Sequence, residues 1–221
     1  MASPTPLRND VLARLAKGAP TTVWTPADFL DLGGREALDK ALQRLVASGD
    51  LRRIDRGLYD RPASNRLTGR PNPPDPRAVI DAVARRDQIR VLVDGLTAAN
   101  DLGLTDAVPA RIVVHADARL KPIRLGALEI TFQPTAASKL YWAGRPAMRL
   151  VQALHWLKDM VARDEDGALK RRVARLLSKS TPSGDLRSDL ESGLPTLPAW
   201  MQAYLKPLLQ PSPAAAAAEE A

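Results

Sequence analysis

Four side chains within ten residues carry groups suited to reading nucleic-acid bases: Arg35, Lys40, Gln43 and Arg44. A guanidinium fits the acceptor edge of guanine and the oxygens of phosphate. An ammonium donates to either, and a side-chain amide pairs with the donor and acceptor of adenine. A second set follows at once. Between residues 52 and 61, Arg52, Arg53, Arg56 and Arg61 stand against only Asp55 and Asp60. That density suits contact with the phosphate backbone, which fixes register and supplies most sequence-independent affinity. A third set, Lys170, Arg171, Arg172, Arg175 and Lys179, lies far downstream. Basic residues on one amphipathic helix ordinarily do no more than solvate a face, and that is the plainer reading of the third set; its alternative is a second DNA surface. Glu36 and Asp39 lie among the first set and would repel phosphate.

Such groups act together only if the chain holds them on a common frame. Leu7, Val11, Leu12 and Leu15 recur at helical spacing, and Gly18 ends that helix. Thr22 to Trp24 reads as extended. Thr25 then offers an N-cap, with Pro26 at the first helical position and Asp28 three residues after the cap, so a short second helix is expected up to Leu32. Gly33-Gly34 turns the chain. A third helix over about 35–48 follows, with Leu38, Ala41, Leu42 and Leu45 as its apolar stripe. Arg35, Asp39, Lys40, Gln43 and Arg44 fall off that stripe. After Gly49, two extended stretches, 50–55 and 58–60, are joined by a tight turn at Arg56-Gly57. Helix, short helix, turn, helix and hairpin is the order of a winged helix-turn-helix, which lays its last helix in the DNA major groove.

Beyond this head, Pro62, Pro71, Pro73, Pro74 and Pro76 crowd one short stretch, which predicts an extended linker. The remainder mixes strands and helices. A helix near 76–86 precedes extended segments at 89–93, 110–115, 122–125 and 128–132, with a short helix at 97–104 between them. From about Arg145 the apolar spacing is helical, ending in a helix near 198–209. The expected fold class is therefore α+β, with an N-terminal winged helix-turn-helix followed by a mixed α/β domain whose C-terminal part is helical. The expected divisions are 1–62 for the DNA-binding head, 63–76 for the linker, 77–210 for the second domain and 211–221 for a disordered Pro/Ala-rich tail.

The formal charge of +7 permits nucleic-acid binding, but it is spread evenly: residues 1–66 hold 11 basic against 8 acidic side chains, and the rest 21 against 17. Charge alone does not choose a half, so pattern must. There is no cysteine, which excludes disulfides and thiolate metal sites. No apolar run approaches the ~20 residues that a membrane helix needs. The first ten residues lack the apolar core of a signal peptide, so a cytoplasmic protein without membrane association is expected. His115 and His155 have no neighbouring ligand at metal spacing. Asp164-Glu165-Asp166 precedes a helix and reads as its cap, and Gly33-Gly34 lacks the Lys and Ser/Thr of a phosphate loop. No catalytic, cofactor-binding or metal residue is expected, and the chain reads as a regulator rather than an enzyme. The alternative is an interaction module whose winged helix docks protein.

The strings Trp24-Thr-Pro-Ala-Asp-Phe-Leu-Asp-Leu-Gly33, Ala41-Leu-Gln-Arg-Leu45 and Gly49-Asp-Leu-Arg-Arg-Ile-Asp-Arg-Gly-Leu-Tyr-Asp-Arg-Pro62 resemble the winged-helix head of AbiEi-type antitoxins. Asp94-Gly-Leu-Thr-Ala-Ala-Asn-Asp-Leu-Gly-Leu-Thr105 and Pro109-Ala-Arg-Ile-Val-Val-His115 extend the resemblance, which covers roughly residues 8–135. It implies a transcriptional autorepressor that binds double-stranded DNA at its own promoter. It also implies the antitoxin role of a type IV toxin–antitoxin system, countering a nucleotidyltransferase-type toxin without a stable complex. Similar heads occur in orphan transcriptional regulators that have no toxin partner.

Overall fold

The computed structural model describes residues 6–65, 67–178 and 185–210. Over these residues the chain is a mixed α+β protein with nine α-helices and two small sheets. None of these helices is long and apolar enough to cross a membrane. The chain divides into two compact units, residues 1–91 with 117–132, and residues 92–116 with 133–221. Lys179 and the tail expected at 211–221 lie outside the described residues.

The first unit begins with α1 (Pro6–Lys17), whose Val11 and Leu15 are buried. Gly18 ends it. A Cβ there would collide with the Trp24 ring, so only glycine lets the indole lie against the helix end. β1 is the two-residue strand Val23–Trp24. The short second helix expected over 25–32 is a 3-10 turn, Pro26–Phe29, followed by turn residues. The start signal is real: the Asp28 carboxylate accepts both the Thr25 amide (2.6 Å) and the Thr25 hydroxyl (3.0 Å). With Gly33-Gly34 so close behind, there is no length for an α-helix to recover its nucleation cost. The segment is tied instead to α1. Arg14 donates to the Asp28 carbonyl (2.8 Å) and to both oxygens of Asp31 (2.5 and 2.6 Å).

α2 (Arg35–Ala47) buries Leu38, Ala41, Leu42 and Leu45, the expected stripe, and ends at Ser48 and Gly49, whose φ is +80°. These leucines close a core with Val11, Leu15, Phe29 and Leu51, and Leu7, Trp24 and Tyr59 pack on its rim. β2 (Arg52–Asp55) and β3 (Leu58–Asp60) form the expected hairpin. Gly57, at φ +67°, makes its turn. β1 pairs antiparallel with β3, so the sheet order is β1-β3-β2.

The proline-rich stretch does not run on as an extended strap. It folds back: Ser64 bridges Pro71, the Asn65 amide donates to the Arg70 carbonyl, and the Asn72 amide donates to the Ala63 carbonyl. α3 (Pro76–Asp87), capped by Asp75, belongs to the first unit. Arg85 donates to the Val23 carbonyl (3.1 Å) and Arg86 to the Arg56 carbonyl (2.6 Å), which fastens the helix to β1 and to the hairpin turn. The same unit recruits a later segment. The Asp117 carboxylate accepts the Arg90 amide (2.9 Å) and its guanidinium (3.1 Å). β6 (Ile123–Leu125) then pairs antiparallel with β7 (Leu128–Pro134) through a turn at Gly126.

The second unit contains most of β4 (Val91–Val93), α4 (Gly95–Asp101) and β5 (Arg111–Ala116), followed by α5 (Met148–Trp156), α6 (Lys158–Ala162), α7 (Ala168–Leu177), α8 (Leu186–Gly193) and α9 (Ala199–Leu209). α4 packs on α5. A Cβ on Gly95 would stand 2.5 Å from the Trp156 Cβ and 2.7 Å from the Gln152 carbonyl, so the two helices approach to backbone contact. Arg145, just before α5, ties that turn to α8 through Asp189 (2.9 Å) and Ser192 (2.7 Å), stacked against the rings of Tyr141 and Trp142.

Candidate functional site

α2 and the β2–β3 turn contribute to an open cleft of about 1090 Å³ within the first unit. α2 contributes Arg35, Asp39, Gln43 and Val46; the hairpin contributes Arg53, Asp55, Arg56, Gly57 and Tyr59. The helix period explains the selection. At about 100° per residue, the four α2 positions fall within about 80° of one another, on one flank of the buried stripe. Lys40 and Arg44 lie about 140° and 180° round from Arg35. Both are exposed and neither lines the cleft. The four residues expected to read bases thus separate into two pairs.

The four arginines expected to contact the backbone also separate. Arg52 is a structural brace. Its guanidinium grips the Asp60 carboxylate in a two-pronged pair (2.9 and 2.5 Å) and reaches the Asn72 carbonyl (2.7 Å). Asp60 is only 5% exposed, so the pair holds a carboxylate that would otherwise be buried alone. Arg53 and Arg56 are exposed and line the cleft. Arg61 is exposed but does not line it.

Three cations that the sequence reading passed over complete the cleft: Arg86 at the end of α3, and Arg119 and Lys121 just before β6. Their signal was available in the alternation Arg119-Leu-Lys121-Pro-Ile-Arg124, but some sixty residues separate it from the hairpin, and spacing cannot show that they meet. In all, six cations (Arg35, Arg53, Arg56, Arg86, Arg119, Lys121) face three carboxylates (Asp39, Asp55, Asp87), a net of +3. Two of the six are occupied. Arg35 Nε pairs with Asp39 at 3.0 and 3.1 Å, and Arg86 pairs with Asp87 at 2.6 and 2.8 Å. The Asp87 hydrogen bond raises the Arg86 pKa further, against the lowering effect of burial. Arg53, Arg56, Arg119 and Lys121 make no ion pair among the described residues. Four unpaired cations in a concave site focus a positive potential, and the chemistry such a site supports is the holding of an anion.

The third basic set behaves differently. On α7, Leu169, Val173 and Leu177 are buried while Lys170, Arg171, Arg172 and Arg175 are exposed. Arg171 turns back to the Asp166 carbonyl (2.7 Å). Asp164 caps the helix by accepting the Leu169 and Lys170 amides at 3.0 and 2.9 Å. Neither histidine lines the cleft. His115 meets the Thr135 hydroxyl at 3.2 Å, and His155 lies edge-on to Trp200. Among the described residues, no group of three or more His, Asp or Glu side chains is placed to hold a metal ion.

A family description matches residues 9–184, four-fifths of the chain and all of the cleft's contributing segments. The chain belongs to DUF6088, a family of unknown function. Comparison with curated proteins gives no match. For this DUF6088 member, the cleft's residues are therefore the ground on which a function has to be argued.

Proposed function

We propose that the chain is a sequence-specific double-stranded DNA-binding protein that represses transcription from its own promoter. On this reading α1, the 3-10 turn, α2 and the β2–β3 hairpin make up a winged helix-turn-helix, with α2 in the major groove and the hairpin against the backbone. The observation that carries the reading is the cleft shared by α2 and the hairpin turn, with its net charge of +3. A helix alone offers a basic face; a helix and a wing with unpaired arginines between them offer a seat for a phosphate strand. Gln43 and Arg35 then supply base contacts, while Arg53 and Arg56 supply backbone contacts. A protein working on its promoter acts in the cytoplasm.

The AbiEi-like strings support a further role as antitoxin of a type IV toxin–antitoxin system. Its functional counterpart would be a nucleotidyltransferase-type toxin that it does not bind stably. Co-expression with such a toxin tests this role: restored growth supports it, and unrelieved toxicity with intact repression leaves a transcriptional regulator alone.

Fluorescence anisotropy tests the DNA reading. The full chain is titrated onto a labelled duplex from upstream of its own reading frame, and onto a shuffled duplex of the same composition, at several salt concentrations. The expected result is tighter binding to the upstream duplex, with log K falling linearly in log salt. Equal affinity for both removes sequence specificity; no binding to either removes the reading.

A further inference from the structure

The cleft gathers cations from four stretches of chain, and only two of them, α2 and the hairpin, belong to a winged helix. Arg86 comes from α3, while Arg119 and Lys121 come from the segment that follows Asp117. We propose that Arg119 and Lys121 form a second phosphate clamp, so that a DNA strand is held by the hairpin arginines and by this later segment together. The inference rests on the DNA reading of the cleft and adds to it a pair of residues outside the head.

Three observations support it. Arg119 and Lys121 are exposed, line the cleft and make no ion pair among the described residues, so neither serves the fold as a partner to a carboxylate. Their placement is nevertheless fixed. Asp117 is pinned by the Arg90 amide and guanidinium on one side, and Ile123 is buried in the β6–β7 hairpin on the other, which leaves a short tether between two anchors. Pro122 stiffens that tether further by fixing its φ. Arg86, paired with Asp87, has a structural task in holding the Arg56 carbonyl and so aims the turn that carries Arg56 into the cleft. The charge is also of the right size. A cleft bearing a net of +3 neutralises about three phosphates, a run short enough for one strand of a duplex to present.

The test compares three forms of the full chain on a random-sequence duplex of about 20 base pairs between about 50 and 200 mM salt. These are the unaltered protein, the Arg119→Ala/Lys121→Ala variant, and a Lys139→Ala/Arg163→Ala variant that removes two exposed cations from the other unit. The Arg53→Ala/Arg56→Ala variant is the reference for the hairpin. Circular dichroism melts confirm folding, and Arg119→Gln/Lys121→Gln repeats the test with less change of shape. The expected result is a salt slope shallower by about two for Arg119→Ala/Lys121→Ala, with affinity lower on the order of tenfold near 0.1 M salt, and no change in the Lys139/Arg163 control. If the hairpin variant weakens binding while Arg119→Ala/Lys121→Ala binds as the unaltered protein does, the clamp is overturned and the DNA reading stands. Equal losses in the control and in the Arg119/Lys121 variant reduce the effect to net charge and also overturn the clamp. No binding by the unaltered protein overturns the DNA reading and, with it, the clamp.

Discussion

α2 and α7 are both short amphipathic helices with arginine and lysine on their exposed sides, yet they occupy different settings. α2 shares its Arg35 and Gln43 flank with cations from the hairpin, from α3 and from residues 119–121, all in one concave site. Lys170, Arg171, Arg172 and Arg175 do not line that cleft. Ion atmosphere and water screen charges on an open face within about 8–10 Å, whereas charges that converge in a concavity reinforce one another. On the proposed reading, what sets the α2 flank apart from α7 is convergence of distant segments, which a helix's own composition does not reveal.

The largest expected effect separates scaffold from contact within the hairpin. Arg52→Ala should cost about 3 kcal/mol in urea denaturation, because it leaves Asp60 buried without its partner. Replacing Lys170, Arg171, Arg172 and Arg175 one at a time should cost less than about 0.5 kcal/mol each. A cheap Arg52→Ala would mean that water, not Arg52, satisfies Asp60. Next, Gln43→Ala should lose about 1–3 kcal/mol of affinity on the upstream duplex and much less on a shuffled one. Arg44→Ala and Lys40→Ala, which alter residues outside the cleft, should lose less. The reverse ranking would move base reading to the outer face of α2.

A smaller effect is expected from the backbone contacts. Arg53→Ala and Arg56→Ala should each make the salt slope shallower by about one, on any sequence. The fourfold alanine variant of α7 should leave the slope unchanged, and a shallower slope there would make α7 a second DNA surface and dissolve the contrast. The smallest effect concerns how α7 is held. Desolvation pushes the Asp164 carboxyl up, but hydrogen bonds, those from the Leu169 and Lys170 amides foremost, together outweigh it and leave the group below the usual carboxylate range. Its contribution to stability is thus present above the unfolded value of about 3.9 and is lost as pH falls through the lower folded value. Asp164→Ala should cost about 1 kcal/mol at neutral pH and flatten the acid limb of a stability–pH curve measured by thermal melts. An unchanged acid limb would show that other carboxylates set it.

The local elements were legible because local chemistry decides them. Thr25-Pro26-Asp28, the Leu38–Leu45 stripe and Arg56-Gly57 each gave a start, a buried face or a turn where the chain has one. Helix type at 26–29 was not legible, since periodicity cannot distinguish one 3-10 turn from the start of an α-helix. The proline-rich stretch misled for a different reason. Proline reports stiffness at its own φ, while the folding-back depends on Asn65, whose side chain accepts the Leu67 and Thr68 amides, and on Arg52 reaching Asn72. Within the candidate site, Arg35, Gln43, Arg53 and Arg56 could be named from spacing. Arg86, Arg119 and Lys121 could not, because their proximity is a property of the fold alone.

The first unit is built from two stretches of chain, 1–91 and 117–132, with 25 residues of the other unit between them. On a ribosome this imposes an order of events. The hairpin is complete once Asp60 has emerged, yet Arg119 and Lys121 follow about sixty residues later, roughly 3–12 s at ordinary elongation rates. Throughout that interval a nascent chain carries its hairpin arginines and α2 without the later segment. A chain stalled or cleaved anywhere between α3 and residue 119 would keep α2 and the hairpin and lack two of the cleft's four unpaired cations, so, if the cleft holds an anion as proposed, an incomplete product would compete only weakly with finished copies for it.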